Sequence, residues 1–210
     1  MAQFGLPSKS VVVTPAKLAA GAFNVGPLCA IERQDRTNWC WAAVAYSVAR
    51  YVNAKRHKPF KFTSQQDLAC NVLFDGQPGK IAACNANPDP SANNLLLPAI
   101  PIGVADLQVE QTAFKTHPLS PDTLKNELAA GRPMGLTIAW DGGLGGHAIA
   151  VVGGVEIGGD LLFWVGDPKL DKPQQHSFET LTRYYPAPDS TGAGAGTVTG
   201  EVRLVFRILP

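Results

Sequence analysis

Four residues of this chain have types and spacings suited to acyl-transfer chemistry: Gln34, Cys40, His147 and Asp167. A thiol attacks a carbonyl only as its thiolate, and at neutral pH an ordinary cysteine is mostly protonated. Two surroundings correct that. A helix N-terminus stabilises the anion through unpaired N–H groups and the helix dipole. A neighbouring histidine takes the proton and stays beside the sulfur as imidazolium. In "QDRTNWCWAAVAYSVARYV", residues 34–52, Cys40 stands at the head of a run that reads as a helix over 38–53. The thiol then lies in the first turn, with Asn38 or Thr37 available as a cap. The plain alternative is a small buried hydrophobe that happens to begin a core helix.

The base has four candidates: His57, His117, His147 and His176. His57 sits in the basic run Lys55–Lys58, which reads as a solvated loop after the helix. His117 sits in the turn "THPLSP" and His176 in the polar "KPQQHSF"; both read as exposed loop histidines. His147 follows "GGLGG" and opens the apolar run "AIAVVGG", so a flexible loop delivers it and a buried strand fixes it. A satisfied histidine at a strand edge is the competing account. The base needs a third group to hold its tautomer. Asp167, in "FWVGDPKL", ends the next apolar strand. If the two strands pair as a hairpin, residues 147 and 167 lie at one end of the sheet. Asp-Pro is also a common way to begin a turn, and Asp141 is the stand-in. The developing oxyanion needs donors: the Cys40 backbone N–H is one, and the Gln34 amide, six residues upstream, is the other.

The elements that must position these groups follow from periodicity. Alanines 42, 43, 45 and 49 fall on several faces of the 38–53 helix, as expected of a helix packed on most sides. A second helix starts at Ser64, with Asp67 completing a capping signal, and runs to about residue 72. Residues 74–103, rich in Pro, Asn and Gly, read as irregular, with a short helix at 92–97. In "SPDTLKNELAAGRP", Ser120 caps, Pro121 opens, Gly131 ends the helix and Pro133 blocks its continuation. The period then changes to strands: "MGLTIAWD", "HAIAVVGGVEI", "LLFWVGD" and "EVRLVFRIL". "SFETLTRYY" reads as a short helix with Phe178, Leu181 and Tyr185 on one face, and "PAPDSTGAGAGT" as a turn. Residues 1–27 read as loop, with a strand at 10–14. Helices first and then an antiparallel sheet make the class α+β. The division is an extension at 1–28 and a catalytic domain at 29–210, helical over about 29–132 and β over about 133–210.

Composition excludes several functions. The 210 residues suit one domain. Charged residues make up 17% and net charge is +1, with no basic block to hold a nucleic acid. No apolar run approaches the ~18 residues of a membrane span. The N-terminus has no basic region ahead of an unbroken apolar run, so no secretory leader is read; a cytoplasmic protein or one exported by a dedicated machine would look alike. The four cysteines are Cys29, Cys40, Cys70 and Cys84. With Cys40 free, three remain and at most one intramolecular bridge forms. Cys70 and Cys84, flanking "NVLFDGQPGKIAA", are the pair to expect, worth about 3 kcal/mol in the chain-entropy picture; two reduced buried thiols are the alternative. No CxxC or HxxH spacing points to zinc, and no cofactor is expected. Trp140 and Trp164 either border the cleft or sit in the core. Trp39 fits cleft and core equally.

The Gln34…"CW" block and the "GGHAIAVVGG" strand resemble the papain-like cysteine peptidases. Among these, the sequence is most similar to bacterial peptidases of the AvrRpt2 effector type, which share a Gln…"CWAA" block and a "GHA" strand. The double-glycine-leader peptidases, with a "DP" aspartate, are also similar. The resemblance covers roughly 30–170. It implies Cys40 as nucleophile, His147 as general base and acid, Asp167 as orienting residue and Gln34 as oxyanion donor. It further implies a protein or peptide substrate and leaves any inhibitor or immunity partner unidentified. Departures stand beside it. "TNWCW" replaces the C-G-[SA]-C-[WY] signature, the third residue is Asp rather than Asn, and Cys40 to His147 is shorter than the ~130–150 residues of papain and cathepsins. A Cys-His-Asp set also serves acyltransferases, transglutaminases and deamidases, and a decayed scaffold serves as a binding module.

Overall fold

The computed structural model describes residues 22–24, 29–87, 109–113, 119–141, 146–187 and 199–208. The expected strand at 10–14, the helix at 92–97, His117, the glycine loop at 142–145 and the turn at 188–197 lie outside them. The class is α+β. Strand β1 (Ala22–Asn24) precedes helices α1 (Cys40–Lys55), α2 (Gln65–Leu73) and α3 (Pro78–Ala86). Strand β2 (Val109–Ala113) and helix α4 (Pro121–Ala129) follow, then β3 (Met134–Trp140), β4 (Gly146–Ile157) and β5 (Asp160–Gly166). The chain closes with β6 (Gln174–Ser177), α5 (Phe178–Arg183), β7 (Tyr185–Pro186) and β8 (Thr199–Ile208). The sheet is antiparallel in the order β2-β8-β3-β4-β5-β6, with β1 added to β4 and β7 to β8.

Helix α1 is buried from Trp41 to Ala49 and again from Tyr51 to Asn53, and it packs on β4 and α2. Its small residues permit that approach, and fully burying a large apolar side chain contributes about 1.5–3 kcal/mol. Trp39 and Trp41 are both core residues at 0% and 1% exposure, which places Trp39 in the core. The helix begins two residues later than the sequence predicts. Trp39 is its N-cap and makes no side-chain capping bond, so neither Asn38 nor Thr37 fills that role.

Helix α2 has the expected cap: the Asp67 N–H donates to Ser64 Oγ at 3.1 Å. The Asp67 carboxylate reaches back to the Thr63 N–H at 3.0 Å rather than to Ser64 itself. Helix α4 has its Ser120 cap, and Gly131 ends it at φ +74°. Strands β3, β4 and β5 are consecutive neighbours, joined between β4 and β5 by Gly158 and Gly159 at φ +62° and +94°.

Several expectations fail. Helix α3 occupies part of the stretch read as irregular; Pro78 stands in its first turn and a Cys70–Cys84 disulfide ties it to α2. Tertiary linkage overrides the poor local propensity of "QPGK". His176 is not on an exposed loop: β6 pairs with β5, with His176 opposite Phe163, and its ring packs on Tyr185. Tyr185 is outside the α5 helix, in β7. Lys55 is not simply solvated, because its ammonium donates to the Ala130 and Gly131 carbonyls at 3.3 Å, capping the end of α4. Residues 22–24, read as loop in an extension, are a sheet strand whose Phe23 ring fills the space a Cβ of Gly154 would need.

Candidate active site

Cys40 is the first residue of α1, and its thiol is half-buried. The sulfur accepts hydrogen bonds from the Trp41 and Ala148 N–H groups and is bonded to the His147 ring. Burial alone would raise the thiol; the bond to His147, its charge and the two N–H groups together hold it below its ordinary value. His147 is the second residue of β4, opposite Ile138 of β3, at 3% exposure. Its Nε2 is 2.7 Å from Asp167 Oδ1, which leaves Nδ1 for the sulfur. Burial works against the imidazolium, but the bonds and charges of Asp167 and Cys40 prevail and raise His147 to about 9. Asp167, 2% exposed, is opposed by burial and nonetheless held below the usual carboxylate range by His147, the Lys169 N–H at 2.8 Å and the Tyr185 hydroxyl at 2.8 Å.

A one-residue irregularity in β4 puts the histidine and the aspartate on the same face. Ala150 pairs with Gly166 and Val151 with Val165, but Gly153 pairs with Trp164, so Val152 is an extra residue. Side chains alternate along a strand, so a slip of one residue exchanges faces. In the register that holds from 153 to 157, Asp167 would oppose Ala150 and face away from His147. The bulge corrects this. Gly166, beside the aspartate, closes tightly on Ile31, whose side chain fills the place of a Cβ there.

Gln34 also lies at this end of the sheet. Its backbone N–H donates to the Pro168 carbonyl at 2.8 Å, next to Asp167. Its side-chain amide donates to the carbonyls of Arg36 at 2.8 Å and Thr37 at 2.6 Å, while Oε1 is buried without a partner. Both amide protons are thereby engaged, and an oxyanion must compete for one of them. Two residues without any motif of their own hold this segment. Gln65, at 2% exposure, donates to the Arg33 carbonyl at 2.7 Å and accepts from the Asp35 N–H at 3.2 Å. Ser47 of α1 accepts from the Glu32 N–H at 2.9 Å. Gln65→Ala is expected to lower kcat about tenfold, about 1.4 kcal/mol of barrier, while the rate of Cys40 alkylation at pH 6 stays unchanged. Equal losses in both assays would show that the residue supports the nucleophile rather than the Gln34 segment.

The other candidates separate from this centre. His57 is exposed at φ +54° beyond the end of α1, and Asp141 is exposed. Trp140 stacks on the His147 ring, centroids 5.8 Å apart and planes 17° from parallel, so it borders the site. Trp164 is half-buried on β5. Cys29 is a buried free thiol whose ionisation burial strongly opposes. Among the described residues no cluster of His, Cys, Asp and Glu could hold a metal ion, and no helix is long and apolar enough to cross a membrane.

No protein-family model and no curated protein matches the sequence. Solved structures resemble it in fold at low identity. A structure concerning antibody cross-reactivity between the mite allergens Blo t 1 and Der p 1 is 13% identical, with a TM-score of 0.46 over 95% of this chain and 74% of that one. Digestive procathepsin L 3 of Tenebrio molitor larval midgut is 11% identical, with a TM-score of 0.45 over 91% and 72% of the two chains. Xylellain, a cysteine protease from Xylella fastidiosa, is 14% identical, with a TM-score of 0.45 over 97% and 90%.

Proposed function

We propose that this chain is a thiol peptidase that hydrolyses peptide bonds of protein substrates through Cys40, His147 and Asp167. The observation that carries the reading is the continuous hydrogen-bond chain from the Cys40 sulfur through His147 to the Asp167 carboxylate. A helix terminus, an imidazolium and two N–H groups around one sulfur favour its thiolate at neutral pH. The thiolate adds to the substrate carbonyl, and the carbonyl electrons move onto oxygen. The Cys40 N–H and one proton of the Gln34 amide stabilise that oxyanion. His147 gives its proton to the departing amine, leaving a thioester on Cys40. Water, deprotonated by His147, then attacks the thioester and releases the acid.

Within the papain-like peptidases, the Gln34…"CWAA" block and the "GHA" strand support placement with the AvrRpt2-type enzymes, and with it the role of an exported bacterial effector or toxin. The test is to incubate the chain with a peptide library plus an isotopically labelled amine and read the products by mass spectrometry. New peptide termini that Cys40→Ala does not generate support hydrolysis. Incorporation of the amine in place of cleavage would replace that reading with acyl transfer.

A further inference from the structure

Asp167 carries more hydrogen bonds than orienting one imidazole requires. Oδ1 accepts from His147 Nε2 and from the Lys169 N–H, and Oδ2 accepts from the Tyr185 hydroxyl at 2.8 Å. The Asp167 side chain is wholly buried, and Tyr185 is 1% exposed. The phenol is carried by β7, which pairs Tyr185 with Gly200 of β8, and its ring lies 5.2 Å from that of His176. We infer that Tyr185 is a positioning residue of the catalytic centre, its hydroxyl fixing the rotamer of Asp167 and, through it, the ring plane of His147. The inference rests on the thiol-peptidase reading.

The physical case is one of satisfaction and charge. A carboxylate buried with one oxygen lacking a donor bears a large desolvation cost, and it can relieve that cost by rotating or by taking a proton. Either response weakens the bond to His147. The hydroxyl removes both. It cannot compete for the proton itself, because burial, and then the charge of Asp167 and the bond to it, raise the phenol's ionisation far above the working range. The groups facing Asp167 are therefore His147 on β4, Tyr185 on β7, His176 on β6 and the Lys169 N–H, with Cys40 on α1 behind His147. Of these, His176 is held below its ordinary value by burial, against the pull of Asp167.

Tyr185→Phe keeps the ring and deletes the donor. The expected result is a kcat about tenfold lower at unchanged KM, and an acid limb of Cys40 alkylation moved to higher pH by about half a unit or more. The sign follows from Asp167: without the donor its carboxyl protonates at higher pH, and the imidazolium loses its counter-charge there. The same shift is expected with His176→Gln in the background, which takes the neighbouring imidazole out of the titration. Adding Tyr185→Phe to Asp167→Asn should change nothing further, because the hydroxyl acts through the carboxylate.

If Tyr185→Phe fails to fold, a fluorotyrosine at 185 serves instead: the more acidic donor should move the acid limb to lower pH. Profiles that overlay the wild type in either variant, while the wild type shows an activated thiol, would overturn the role of Tyr185 and leave the peptidase reading standing. A wild-type alkylation limb near that of a free thiol would overturn both.

Discussion

Replacing Cys40 or His147 with alanine should lower turnover by at least about 10⁴-fold, because residues acting as one catalytic unit each cost nearly the whole effect when removed. The two variants should differ in stability. Cys40→Ala removes one half-buried sulfur and leaves His147 on its carboxylate. Its unfolding midpoint should stay near that of the wild type. His147→Ala takes the cation away from an aspartate whose side chain is wholly buried. Breaking a buried pair from one side costs on the order of 3 kcal/mol, although the Lys169 and Tyr185 donors remain. Activity assays and thermal denaturation of both proteins check the pair of statements. Turnover within tenfold of wild type in either variant rules out the proposed mechanism.

The second large effect is on pH dependence. At pH 6 an ordinary cysteine is only about 0.3% thiolate, whereas Cys40, held below its ordinary value by the raised His147 beside it, keeps a larger thiolate share there. A low-pKa thiolate is the weaker nucleophile, which takes back about a factor of ten. Iodoacetamide should therefore modify Cys40 at pH 6 on the order of tenfold to a hundredfold faster than a free thiol, with Cys29 untouched in its buried site. Peptide hydrolysis should fall as pH rises through about 9, where His147 loses the proton the leaving amine needs. Stability follows the same group. Its folded value lies above the ordinary 6.5, so its contribution is complete below that pH and is lost as pH rises through about 9. A midpoint for alkylation at the pH of an unperturbed thiol would contradict the whole electrostatic account.

The parts of this molecule that sequence made legible are those with a local cause. Alternating apolar runs between glycines mark β3, β4 and β5, and Ser120, Pro121 and Gly131 mark both ends of α4. The candidate site was legible for a related reason. A cysteine at a helix start, a histidine opening a strand and an aspartate closing the next are each positions at an element's end, which local punctuation in the sequence marks.

What escaped depends on contacts between distant segments. Nothing near Gln65 says that its amide will grip Arg33 and Asp35. Tyr185 looked like a helix-face residue because "SFETLTRYY" has the right period, yet the chain leaves the helix at Arg183. The slip at Val152 is invisible because "AIAVVGG" reads equally well with or without it. Helix α3 is joined to α2 by the Cys70–Cys84 bridge and by the Gln66 amide, which donates to the Asn85 carbonyl at 2.6 Å.

The backbone bond from Gln34 to Pro168 joins the segment before the nucleophile to the residue after the carboxylate. A ribosome delivers these in order, and domains form as their chain emerges. When α1 leaves the exit tunnel, the strand with His147 has not been made, and the loop with Asp167 comes later still. Until then Cys40 lacks its imidazolium and the Gln34 segment lacks its anchor at Pro168. The nascent chain thus carries a thiol of ordinary acidity through synthesis. The surroundings that lower the thiol are complete only when the last pieces dock, so the order of synthesis itself delays any chemistry at Cys40.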